Sequence, residues 1–330
     1  MRKISALVAV AALAVTSLAG CASASNAAVD STKVPLVCNH YVTSAKTDKI
    51  QASIPATGKP KVTFPTPLST NTTVSKVLKE GTGTLFGGNQ QVTFEYVAID
   101  AATGKELQGS SWNGTDAASQ VIAKATTSST ADFCDALAGA REGSVVATLL
   151  SAKTSHNSTA NAAAGIGKND SILFVFSLKK VALPRAIGDT QPAQDGFPQV
   201  VTSATGVPGL VMQNWDKSAA PTTFKSETLI AGHGAKIKEN DYVTVHYSGY
   251  LWDSSKAMFD SSWTKGTPAT FQLKQGALIP GFISALVGQR VGSQVVAILP
   301  PKDGYGASGA GSIPANSTLI FVIDILSKGK

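Results

Sequence analysis

Apolar and polar residues alternate along several stretches of the chain. Val243, Val245 and Tyr247 alternate with Thr244 and His246, and Leu319, Phe321, Ile323 and Ile325 repeat the period. That is the spacing of a strand with one face in a core. Val295 to Leu299 is a continuous apolar run and reads as a buried strand. One stretch changes period: Phe282, Ile283, Leu286 and Val287 recur at helical spacing between Pro280 and Gly288, so a short helix lays an apolar face on the sheet. About five strands around one short helix make an α+β unit. Residues 183–196 hold Pro184, Gly188, Pro192 and Gly196 without an apolar period and read as a linker.

The pattern occurs twice. At an offset of 151, Val92, Thr93, Tyr96, Ser110, Ser111 and Trp112 fall on Val243, Thr244, Tyr247, Ser261, Ser262 and Trp263. At 149, Phe133, Ala136, Leu137, Gly139, Arg141, Gly143 and Ser144 fall on Phe282, Ala285, Leu286, Gly288, Arg290, Gly292 and Ser293, and at 147 Phe174 and Val175 fall on Phe321 and Val322. Ordered matches whose offset drifts by small deletions predict a duplicated domain. Gly58 to Phe64 matches Gly206 to Met212 at 148, so each copy is expected to begin with an extra lead strand. The paired glycines Gly81/Gly83 and Gly232/Gly234 precede strands and lack the third glycine of a dinucleotide loop, so they are turn glycines.

Length and composition agree with two domains: 330 residues, 43% hydrophobic and 15% charged, with sparse aromatics. The net charge of +7 is scattered among acids with no basic helix, which argues against nucleic acid as a partner. His40, His233 and His246 share no ligand spacing and suggest no metal site, and no cofactor is expected.

The first 20 residues read as an export signal: Arg2 and Lys3, an apolar run from Ile4 to Val15, then small residues up to Cys21. Leu-Ala-Gly-Cys resembles the bacterial lipobox, which implies cleavage before Cys21 and acylation of its thiol; a plain signal peptide is the alternative. Two acyl chains anchor stably, so the mature protein is expected on the outer face of the cytoplasmic membrane, with residues 21–47 as the lipidated N-terminus and tether. Cys38 and Cys134 are then an even pair in an oxidising compartment and predict a disulfide, with two separate thiols as the alternative.

The second copy carries, in order, V-T-V-H-Y-S-G-Y-L, F-D-S-S-W, L-I-P-G-F, the turn at Gly292, P-P-K-D-G-Y-G and I-P-A-N-S-T-L-I-F. Across residues 224–326 this resembles the FK506-binding (FKBP) type of peptidyl-prolyl cis-trans isomerase. The resemblance implies two tandem FKBP-like domains, a degenerate one over 48–182 and an isomerase domain over 193–330, joined by a linker at 183–192. It implies a pocket walled by Tyr247, Phe259, Leu278, Ile279, Tyr305 and Phe321, with Phe282 as floor, Asp260 at one side and Ile313 on a flap. It also implies that the Ile279 N–H and the Tyr305 phenol donate to substrate carbonyls. Expected partners are proline-containing polypeptide clients and, weakly, FK506-like macrolides.

Several positions depart from the family pattern. Phe282 replaces a Trp, Ala269 and Asp303 replace aromatics, Lys265 replaces an Arg, and the flap at Gly309 to Ser312 is one residue shorter. They predict a slower isomerase, and they support the rival reading of a non-catalytic binding module. In the first copy the 151 offset gives Gln108 for Phe259 and Gly109 for Asp260, with His156 near Tyr305. The fold residues persist there while pocket residues do not, as expected of a scaffold or client-binding unit.

Overall fold

The structure, a computed structural model, describes residues 36–125, 132–203, 205–211, 219–252 and 258–329. Cys21 and the expected export signal over the first 20 residues lie outside the described residues. The first unit opens with α1 (Ala45–Asp48) and a hairpin of β1 (Gln51–Ser53) and β2 (Lys61–Thr63). There follow β3 (Val74–Lys79), β4 (Gln90–Asp100), β5 (Glu106–Gly109), β6 (Ala118–Ile122), α2 (Phe133–Leu137), β7 (Val145–Leu150), α3 (Ala152–His156) and β8 (Ile172–Val181). After β9 (Gly188–Thr190) comes a second hairpin, β10 (Gln199–Thr202) and β11 (Pro208–Val211). The second unit then runs β12 (Lys225–Gly232), β13 (Tyr242–Leu251), β14 (Met258–Ser261), β15 (Ala269–Gln272), α4 (Pro280–Leu286), β16 (Gln294–Leu299) and β17 (Leu319–Lys328).

The two antiparallel sheets share one order, read from opposite edges, except that β9 adds an edge strand to the second. The first is β3-β7-β8-β4-β5, with β6 also on β4; the second is β14-β13-β17-β16-β12-β9, with β15 also on β13. Each holds more than five strands because β4 and β13 are long enough to pair two short strands end to end.

Both faces of each sheet are covered, which is why β16 reads as an unbroken apolar run rather than an alternation. Val295, Ala297 and Leu299 pack with Leu286 of α4 on one face, whereas Val296 and Ile298 face the β10–β11 hairpin through Val200 and Leu210. In the first unit Leu137 of α2 packs on one face and Ile50, Val62 and Phe64 cover the other. Each predicted lead strand is thus one arm of a hairpin that caps the outer face. Fully burying one such aliphatic side chain is worth about 1.5–3 kcal/mol, so the second apolar layer adds substantially to each unit. Among the described residues no helix is long and apolar enough to cross a membrane.

The linker is bonded rather than free. Leu183 N donates to Leu326 O (3.0 Å), Ala186 N to Asp324 Oδ2 (2.7 Å) and Ile187 N to Gly292 O (2.9 Å), and β9 pairs with β12. No apolar period marks β9, because an edge strand offers backbone donors and acceptors to whatever chain passes it. The folded part of the first unit also starts ahead of residue 48. Val37 N and Cys38 N donate to Gly87 O, and Asn39 holds Asp135 through its backbone N and its Nδ2 at 2.8 and 2.9 Å. Cys38 is joined to Cys134 of α2, with Cα atoms 5.7 Å apart, inside the range a disulfide allows.

Candidate active site

The inner face of the second sheet and the start of α4 bring together an aromatic cluster, the candidate cleft. Alternation along β13 and β17 points Tyr247 and Phe321 inward beside Phe282. Phe321 meets Phe282 edge-on with centroids 5.3 Å apart, Phe259 meets Phe321 edge-on at 5.6 Å, and Tyr247 lies 6.0 Å from Phe282. Such edge-to-face contacts order the rings beyond what area burial alone does. Pro280 opens α4 and holds Ile279 extended as its N-cap (φ −62°, ψ 139°), so the Ile279 N–H lies outside the helical ladder. Leu278 and Ile279 pack half-buried against the cluster, and buried Ile313 joins it from the turn where Ala310 and Ile313 exchange backbone bonds. Tyr305 stands at the rim, 38% exposed, close enough for its phenol to bear on the charge of Tyr247.

The polar group of the cleft is Asp260. It accepts the Tyr247 hydroxyl on Oδ2 and Lys265 Nζ on Oδ1, each at 2.5 Å. Burial alone would raise its carboxyl, but the hydrogen bonds from Lys265 and Tyr247 outweigh burial and hold it below the usual carboxylate range. Burial, and then the bond to Asp260, pushes the Tyr247 phenol up. Lys265 therefore occupies one carboxylate oxygen as a point charge, without the two-pronged grip of a guanidinium.

Two neighbours belong to this cleft that the sequence reading did not include in it. Phe271 on β15 lies 5.6 Å from Phe282 and 6.0 Å from Tyr247 and forms a further wall. Gly249 on β13 backs Phe259: a Cβ there would sit 2.6 Å from Phe259 Cζ and 2.9 Å from Phe321 Cε1. Only glycine leaves room for both rings.

The first unit's counterpart corrects the 151 offset by one residue. Tyr247 N donates to Ser262 Oγ (2.8 Å) and Ser262 N to Tyr247 O. In the first unit Ser110 makes the same pair of bonds with Tyr96, so Ser110 matches Ser262. The strand registers agree, since Ala98 opposes Gln108 where Gly249 opposes Asp260. Gln108 thus takes the place of the acid, and Leu107, skipped in the register as Phe259 is, takes the place of Phe259. Gln108 is exposed, not sunk in an apolar pocket. Ala98 stands where Gly249 does in the second unit, and its methyl occupies the space into which a phenylalanine ring would press. Tyr96, Phe133, Phe174 and Phe176 still pack together, with Phe133 5.3 and 5.2 Å from the latter two. His156 turns to two backbone carbonyls, of Thr159 and Asp170, both at 2.8 Å.

Among the described residues no group of His, Cys, Asp and Glu could hold a metal ion. A cavity of about 880 Å³ lies on the sheet's other face beneath the second hairpin, lined by Phe197, Val200, Glu227 and Leu229 among others, and shares no residue with the cleft.

Residues 234–326 match the family model described as FKBP-type peptidyl-prolyl cis-trans isomerase. Over 96 residues the chain is 49% identical to the FKBP-type isomerase FkpA of Aeromonas hydrophila, covering 29% of this chain and 34% of that protein. It is 41% identical over 92 residues to FK506-binding protein 2 of Dictyostelium discoideum, covering 28% of this chain and 68% of that one. The crystal structure of FkpA from Escherichia coli aligns with a TM-score of 0.30 at 33% identity, covering 39% of this chain and 51% of that one. The chain belongs to the FKBP-type peptidyl-prolyl cis-trans isomerase family. It spans about a third of the length of the FkpA proteins it matches.

Proposed function

We propose that this chain isomerises prolyl peptide bonds in exported polypeptides and that its working site is the cleft of the second unit. The observation that carries the reading is the ring box of Tyr247, Phe259, Phe282 and Phe321, with its one acid already occupied by Tyr247 and Lys265. Amide resonance sets a barrier of about 20 kcal/mol to rotation about a prolyl bond. The twisted transition state has lost that resonance and is less dipolar at the carbonyl than the planar ground state. An apolar box penalises the planar form more, and rotation needs no nucleophile or metal. Lowering the barrier by about 5 kcal/mol accelerates rotation roughly 10³- to 10⁴-fold.

In this reading the proline ring sits over Phe282, and the Ile279 N–H and Tyr305 phenol hold the flanking carbonyls as the bond turns. Holding Asp260 charged, with Tyr247 and Lys265 as its partners, fixes the rings without offering a proton to the substrate. Macrolides of the FK506 kind would enter the same box, weakly, because Phe282 offers less area than an indole. The first unit, with Leu107 and Gln108 at the wall and acid positions, is a non-catalytic copy. Acylation of Cys21 would place the protein on the outer face of the cytoplasmic membrane. Turnover of a prolyl peptide by the full chain tests the activity: rotation no faster than in buffer would leave a binding module in its place. Cys21→Ser tests the anchor, since membrane retention of a fully cleaved form of that variant would exclude acylation there.

A further inference from the structure

We infer that Gln91, a residue of the first unit, is a positioning residue for the cleft of the second. The inference rests on the isomerase reading and adds a part to it that lies outside the family match. β15 is a four-residue strand that, among the described residues, pairs in the sheet with β13 alone. Its inward residue Phe271 is a cleft wall, and alternation turns its neighbour Thr270 to the opposite face. There Thr270 opposes Thr244 in the register, with hydroxyl oxygens 3.0 Å apart. The amide oxygen of Gln91 accepts from both: from Thr270 Oγ1 at 2.7 Å and from Thr244 Oγ1. One acceptor from the first unit therefore clamps β15 to β13 a single residue from the wall.

Gln91 is itself fixed. Its Nε2 donates to Ser119 Oγ of β6 (3.1 Å) and its backbone carbonyl accepts Ala182 N (2.9 Å) where the linker begins. The linker then docks on the second sheet through Ala186 and Asp324. Gln91 thus reaches β15 from a hydrogen-bonded seam, which an isolated second unit would lack. A short edge strand opens readily when its side-chain ties are cut, and small displacements of a binding wall weaken the grip on substrate.

The test uses the full chain and a prolyl peptide. Gln91→Leu removes the acceptor; Gln91→Glu keeps an oxygen for both hydroxyls. Gln91→Leu is expected to raise KM about three- to tenfold with kcat held within about twofold, because a loosened wall costs uniform binding. Amide exchange at Ala269 and Phe271, whose N–H groups face β13 in the alternating ladder, should quicken about tenfold while β16 and β17 keep their protection. Gln91→Glu should return both readouts toward wild type. A lower kcat at unchanged KM in Gln91→Leu would report a smaller folded fraction and overturn the positioning role, as would unchanged KM and exchange, or a Glu variant as impaired as Leu. If even the wild type fails to turn over, the isomerase reading falls, and the exchange at β15 still decides whether Gln91 holds the strand.

Discussion

His246 on β13 and Asp324 on β17 face each other in the strand register on the sheet's outer face, both buried. Burial pushes His246 down to about 4 from 6.5; its Nδ1 meets Ser262 Oγ at 2.9 Å and its ring stacks on Trp263. Burial pushes Asp324 up to about 6 from 3.8, opposed by the Ala186 N–H, Gln294 and the charge of Arg185. Between those limits the folded pair carries one proton, on Asp324, and the unfolded pair also carries one, on His246. Stability therefore gains no slope from the pair. Each single variant uncovers one proton's worth, about 1.4 kcal/mol per pH unit. In Asp324→Asn the unfolded chain alone binds the proton, so stability falls as pH drops from about 6 to 4. In His246→Gln the folded chain alone binds it, so stability rises over the same drop. Urea unfolding at pH 4.5 and 5.5, read at the β17 amides by hydrogen exchange so that only opening of the second sheet counts, gives the three slopes. Relative to wild type, the variants should change by about 1.4 kcal/mol in opposite directions across that unit of pH. Three parallel dependences would refute the assignment of neutral His246 beside protonated Asp324.

Three further outcomes follow from the same geometry. Gly249→Ala drives a methyl into Phe259 and Phe321; it should cost about 1–3 kcal/mol by overpacking and cut prolyl turnover at least about tenfold, and full activity would mean the rings are not the working wall. Thiol labelling of the full chain, folded under oxidising conditions and then denatured without reductant, should modify neither Cys38 nor Cys134, and their replacement by alanine should lower stability by about 4–5 kcal/mol for a bridge spanning 96 positions; two labelled thiols would exclude the bridge. Tyr305→Phe should slow turnover without moving the urea midpoint, since its hydroxyl is at the rim; an unchanged rate would remove it from the site.

The strands of both units could be read from apolar periods because packing on two layers leaves a clear mark: β13 and β17 alternate, and β16 is apolar throughout. The cleft residues Tyr247, Phe259, Phe282 and Phe321 were legible as a motif in order. What the sequence hid was decided at a distance. Adjacent serines, Ser110–Ser111 and Ser261–Ser262, match in more than one register, and only the bonds to Tyr96 and Tyr247 choose between them. Gly249 looked like any strand glycine until Phe259 stood against it, although Ala98 at the same repeat position was a clue. β9 has no side-chain signature because its pairing is all backbone, and Gln91 became meaningful only once the docked linker brought the units together.

The most direct test of the central claim is prolyl turnover by the full chain carrying Asp260→Val, set beside Gln108→Val at the matching position of the first unit. Removing the acid frees the Tyr247 hydroxyl and Lys265 and disorders the ring box, so Asp260→Val should lose about tenfold or more of kcat/KM while remaining folded. Gln108→Val should leave turnover at the wild-type rate. Undiminished catalysis in Asp260→Val, or loss of catalysis in Gln108→Val alone, would contradict the placement of the active site in the second unit.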